Sequence, residues 1–138
     1  MALYQRTVLV VEDEPLIRLH LADTLEDAGY TVLEASNVLE AVAVLGQSRT
    51  VDVVITDIDM PGALDGFDLM KLICSCYRDT AVIVTSGGHV LCEAELQPGC
   101  AFIPKPYDLP KMLDMLAARI AQASTRSSQA WPCGRLWA

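Results

Sequence analysis

Long apolar runs are missing from this sequence. Its apolar stretches, among them Val8–Val11, Val53–Ile55 and Ala81–Val84, fall far short of the roughly twenty residues that a membrane-spanning helix needs. The N-terminus also lacks the basic start and apolar run of a secretory signal, so a cytoplasmic protein is expected. Basic residues are scarce: ten Lys and Arg stand against eighteen Asp and Glu, a formal charge of −8. A surface that acidic repels nucleic-acid phosphates. The two histidines, His20 and His89, have no second ligand at metal-binding spacing. The five cysteines are Cys74, Cys76, Cys92, Cys100 and Cys133. Their odd number and irregular spacing suit reduced thiols in a reducing compartment, not a zinc site or a disulfide framework. Cys74-x-Cys76 reads as packing. The remaining 138-residue chain is 52% hydrophobic and 20% charged, too apolar for disorder and large enough for one core without staples.

What is present is an alternation. Thr7–Val11 is apolar and β-branched and stops abruptly at Glu12-Asp13-Glu14-Pro15, a buried strand meeting a loop, with Pro15 suited to a first helical turn. Leu16, Ile17, Leu19, Leu21, Leu25 and Ala28 then recur at helical spacing, and Gly29 follows as a stop. A second strand is expected at Thr31–Ala35. A second helix follows, capped by Ser36 or Asn37 and carrying Val38, Leu39, Val42 and Leu45. Further strands are expected at Val51–Thr56, Ala81–Thr85 and Ala101–Pro104. Helices are expected over Phe67–Tyr77, around His89–Leu96, and from about Leu109 to Ala123. Short strands alternating with helices imply right-handed crossovers and an α/β doubly wound, five-stranded parallel sheet covered on both faces. From Ser124 the composition turns polar, and both tryptophans, Trp131 and Trp137, lie beyond it. Residues 1–123 are therefore expected to form one domain and 124–138 a tail. For that tail a frayed end, a docking segment and a non-native end all stay open.

In an open parallel sheet, ligands bind at the carboxyl ends of the strands. Those ends carry Glu12 and Asp13, then Asp57, then Thr85 with Ser86, then Lys105. Crowded carboxylates repel one another unless a cation neutralises them, and Mg²⁺ is the hard, oxygen-seeking ion for the task. A carboxylate beside such an ion and a lysine can attack a phosphoryl group and hold it as an acyl phosphate. Lys105 would offset charge on the transferring oxygens, and a hydroxyl at Thr85 would bond one of them.

Together these residues resemble a known family. Val10-Val11-Glu12-Asp13-Glu14-Pro15, Ile55-Thr56-Asp57-Ile58-Asp59-Met60-Pro61-Gly62, Val84-Thr85-Ser86-Gly87 and Phe102-Ile103-Pro104-Lys105-Pro106 look like the four motifs of receiver domains in bacterial two-component response regulators, the family of the single-domain chemotaxis regulator. The likeness spans Val8 to about Ala121. It implies a flavodoxin-like (β/α)5 three-layer sandwich acting as a phosphoacceptor switch, not an enzyme with turnover. It further implies that Asp57 accepts a phosphoryl group from a sensor histidine kinase or phosphotransfer protein. Asp13 would bind Mg²⁺ directly, Glu12 mostly through water, and Asp59 through its backbone carbonyl. Thr85 matches the switch hydroxyl, Lys105 the phosphoryl-pairing lysine, and Phe102 the aromatic whose rotamer reports phosphorylation. The Lys105–Pro106 bond is expected to be cis. Output would pass to a downstream protein by contact, from a monomer or weak dimer.

Some features depart from the pattern or compete with it. The loop after Pro61 is one residue longer than the commonest family form, and Asp59 sits where the family tunes loss of the phosphoryl group. The helix expected near His89 is short and polar, and no output domain is expected after the last helix. Ser86 rivals Thr85 for the hydroxyl role. Two other functions stay in view: a receiver-like binding module that is never phosphorylated, and a phosphatase of the haloacid-dehalogenase type built on Asp57-x-Asp59. Against the phosphatase, that motif sits mid-chain and no acidic pair follows Lys105.

Overall fold

The β-branched segments of the sequence become strands β1 (Thr7–Val11), β2 (Thr31–Ala35), β3 (Val53–Asp57), β4 (Ala81–Ser86) and β5 (Cys100–Pro104). Between and after them lie helices α1 (Pro15–Asp27), α2 (Val38–Gln47), α3 (Gly66–Cys76) and α4 (Leu109–Ser128). This computed structural model describes residues 5–47, 50–88, 96–97 and 99–128. The helix expected around His89–Leu96 lies, apart from Leu96, outside the described residues, as does the chain beyond Ser128.

All strand pairs are parallel, in the order β2-β1-β3-β4-β5. The expected doubly wound five-stranded sheet is thus the one observed. One face packs against α1 and α4, where Val8, Val10, Ile55 and Ile83 meet Leu21, Leu25, Met112 and Leu116. The other packs against α2 and α3, where Leu9, Val54 and Val84 meet Ala41, Leu45, Leu69 and Ile73. Strands buried on both faces read as continuous apolar runs, and for that reason the sequence shows no period-two alternation there. No helix among the described residues is long and apolar enough to cross a membrane.

Local chemistry sets the helix boundaries. Pro15 opens α1, and Gly29 follows its end at φ 101°, a conformation that costs glycine little. Asn37 is the cap of α2, its Oδ1 accepting the Glu40 N–H at 2.8 Å, while Glu40 reaches back to the Ser36 N–H at 2.7 Å. The helix α3 starts at Gly66 because Asp65 and Asp68 form a reciprocal capping box.

Two expectations need correction. Helix α4 runs to Ser128, past the expected helix end at Ala123. Residues 124–128 contain neither glycine nor proline, so nothing in them stops a helix already under way. In α1, the periodic set splits: Leu21 and Leu25 are buried with Ala22, whereas Leu16, Ile17 and Leu19 are exposed.

Candidate functional site

The strand order reverses between β1 and β3, where chain connections leave in opposite directions and open a crevice at the carboxyl edge. Glu12 and Asp13 follow β1, and Asp57 ends β3. Carboxylate oxygens of Glu12, Asp13 and Asp57 lie within 4.8 Å of one another. Glu12 and Asp57 are buried, whereas Asp13 is exposed. Lys105, just past β5, crosses to this cluster. Its Nζ donates to Glu12 Oε1 at 2.6 Å and to Asp57 Oδ2 at 3.0 Å. The Lys105–Pro106 peptide bond is cis.

The site is held from several sides. The Glu14 N–H donates to Glu12 Oε2 at 3.1 Å, and Arg18 of α1 donates to the Glu12 backbone carbonyl at 2.8 Å while pairing with Glu34 of β2. The Asp59 N–H donates to Asp57 Oδ1 at 3.2 Å. Gly66, at the start of α3, packs so tightly on the end of β3 that a Cβ there would meet the Asp57 carbonyl oxygen at 2.2 Å. Only glycine fits that approach.

Burial raises the Glu12 carboxyl above its ordinary value, and the Asp57 charge adds to this against the opposing pull of Lys105 and the Glu14 N–H. For Lys105, burial works against the ammonium, but its hydrogen bonds to Glu12 and Asp57 outweigh that and raise its pKa. Burial likewise raises the phenol of Tyr107, two residues on. Three carboxylates face one ammonium in the cluster, a negative surplus confined to a few ångströms. Hard oxygen donors with uncompensated charge suit a small divalent cation such as Mg²⁺ and would hold a soft one poorly.

The remaining expected residues sort by strand register. Thr85 is the β4 partner of Asp57 and shares its face of the sheet. Ser86 points the other way, and its hydroxyl donates to Asp59 Oδ2 at 2.9 Å. Phe102 pairs with Val84 and packs against the core on the α2–α3 side, away from the carboxylates. Sequence reasoning missed three contributors: Arg18, the Ser86–Asp59 bond, and the close approach at Gly66. Only the last left a trace, in the Asp65-x-x-Asp68 capping signature.

Comparison with known proteins agrees with this geometry. The model of the response regulator receiver domain family matches residues 8–117. The chain belongs to that family. As a receiver domain of two-component signal transduction it resembles, at 34% identity over 110 residues, the sensor kinase CckA of Brucella abortus, covering 77% of this chain and 12% of the kinase. Matches take up between 12% and 58% of such curated relatives' lengths. The receiver fold superposes on a CheY-like receiver protein from Methanospirillum hungatei with a TM-score of 0.80 at 20% identity, covering 89% and 99% of the two chains. It also superposes on the response regulator TrrA of Thermotoga maritima, solved with Mg²⁺ and BeF, with a TM-score of 0.72 at 25% identity, covering 83% and 99%.

Proposed function

We propose that this receiver is a Mg²⁺-dependent phosphoacceptor switch in which Asp57 takes a phosphoryl group from a histidine of a sensor kinase or phosphotransfer protein. The observation that carries this reading is the meeting of Glu12, Asp13, Asp57 and Lys105 at the sheet's switch point. In the transfer, a carboxylate oxygen of Asp57 attacks phosphorus as the P–N bond to the donor imidazole breaks. The bonding pair leaves with the ring nitrogen, and the product is an acyl phosphate. Lys105, already bonded to Asp57, offsets charge on the phosphoryl oxygens. Thr85, beside Asp57 on the same face, supplies a hydroxyl to one of them. The carboxylates of Glu12, Asp13 and Asp57 and the Asp59 carbonyl are the groups that would hold Mg²⁺. The ion when bound supplies positive charge to the phosphoryl oxygens.

The chain keeps its product covalently and is a switch, not a turnover enzyme. Phosphorylation adds charge near −2 at Asp57, draws Thr85 and Lys105 toward it, and shifts the population of β4–β5 conformers, with Phe102 following. Exposed Leu16 and Ile17 line a groove with His20, Leu21, Lys105 and Pro106, an apolar surface beside the site that is open to a protein partner. Output leaves by contact with a downstream protein in the cytoplasm, because the net negative charge disfavours nucleic acid.

The test is amide NMR of the wild type and Asp57→Asn with Mg²⁺ and beryllium fluoride, an acyl-phosphate mimic. The reading predicts shifts at Thr85, Phe102 and Lys105 in the wild type alone. Equal shifts in both proteins, or none beyond the Glu12–Asp13 loop, would contradict it.

A further inference from the structure

Two thiols that the phosphoryl chemistry does not use face each other across the α2–α3 side of the sheet. Cys74 lies near the end of α3 and Cys100 is the first residue of β5. Their Sγ atoms are 3.5 Å apart, neither is in a disulfide, and both side chains are half-buried against the core that Phe102 also joins. A disulfide has an S–S length of about 2.05 Å, so the two sulfur atoms, already in van der Waals contact, must approach one another further for the bond to form. The third described cysteine, Cys76, is exposed.

We propose that Cys74 and Cys100 are a redox site, a dithiol that closes reversibly to a disulfide and ties α3 to β5. With hydrogen peroxide as oxidant, one thiolate attacks a peroxide oxygen. The O–O bond breaks, hydroxide leaves, and a sulfenic acid remains. The second thiolate attacks the sulfenic sulfur, the S–O bond breaks, and a second hydroxide departs with the disulfide formed. Two electrons pass from sulfur to peroxide, and the two thiol protons end in two waters. A small dithiol reverses the bond by exchange through a mixed disulfide. In a reducing compartment such a bond is transient, as suits a sensor.

The consequence for signalling rests on the phosphoacceptor reading above. Cys100 and Phe102 are two residues apart on β5 and share a face, opposite Val82 and Val84 of β4. A covalent tie at Cys100 anchors the strand whose conformers the switch has to exchange, and oxidation therefore slows loading of Asp57.

The experiment treats the full folded chain with hydrogen peroxide, blocks residual thiols with iodoacetamide, and maps the peptides by mass. A peptide pair joined through Cys74 and Cys100, lighter by two hydrogens and separated again by dithiothreitol, is the expected main product. Cys74→Ser and, as a second variant, Cys100→Ala should each abolish it, with circular dichroism confirming that they fold. Oxidation spread over Cys76, or a bond to Cys92 or to a second chain as the main product, would overturn the site. The oxidised and reduced chains are then loaded from a small acyl phosphate with Mg²⁺. Oxidation should slow loading about fivefold or more. Equal rates in the two forms overturn the regulatory role while the disulfide stands. Loading of neither form defeats the acceptor reading and leaves the redox site intact.

Discussion

Lys105 serves two carboxylates at once, and its removal separates charge from geometry. Lys105→Ala leaves Glu12 and Asp57 facing each other in a buried site without their shared cation. In the absence of divalent ions we expect a loss of about 1–3 kcal/mol in urea unfolding. Added Mg²⁺ should recover part of it. The raised pKa of Lys105 fixes the sign of the pH dependence. A base whose folded pKa is raised contributes its full stability below the ordinary value of 10.5 and loses it as pH climbs through the folded one. The stability gap between wild type and variant should be flat through the neutral range and close above pH 10.5. A gap that stays fully open at strongly basic pH would contradict the assignment.

Glu12 works in the opposite sense. Its carboxyl is raised mainly by burial, so the folded protein holds that proton more tightly than the unfolded chain does. Ionising it costs stability as pH rises from the ordinary 4.5 upward. Glu12→Gln should therefore raise the melting temperature of the ion-free protein at neutral pH. The same change should weaken Mg²⁺ binding in calorimetry, a trade of stability against function. A variant that melts lower and binds Mg²⁺ unchanged would remove Glu12 from the site.

Among the elements, the start of α3 bears most directly on Asp57, the proposed acceptor. A Cβ at residue 66 would collide with backbone atoms of Asp57 and Ile58, which cannot swing aside as a side chain end could. Gly66→Ala should cost about 1–3 kcal/mol in denaturant unfolding and slow loading of Asp57. An alanine variant of wild-type stability and rate would mean that α3 shifts freely. Strands were the most legible elements because their β-branched runs end in charge: Val11 before Glu12, and Thr56 before Asp57. The far end of α4 was not legible, since Ser124–Ser128 lacks apolar periodicity and equally lacks a breaker. The inward set of α1 was not legible either. Leu16, Ile17 and Leu19 are as apolar as Leu21 and Leu25, and only packing against β1, β2 and α4 selects among them.

Over the whole molecule, the site was legible because one physical rule gathers it: residues at the carboxyl ends of parallel strands meet. Glu12, Asp13, Asp57 and Lys105 converge from positions up to 93 apart in sequence. What the rule does not carry is register and reach. Whether Thr85 or Ser86 faces Asp57 depends on strand pairing, and the bond between Ser86 and Asp59 has no sequence signature. Arg18 enters through its long side chain, from a helix whose spacing says nothing about the Glu12 carbonyl. In the proposed function, this convergence serves to place a phosphoryl group on Asp57. The most direct test of that function is the intact mass of the wild type and Asp57→Asn after incubation with a small acyl phosphate, with and without Mg²⁺. The account predicts one acid-stable, base-labile phosphoryl adduct, dependent on Mg²⁺ and missing from the variant. An adduct that persists in Asp57→Asn, or a wild type that binds Mg²⁺ yet takes up no phosphoryl group, would contradict it.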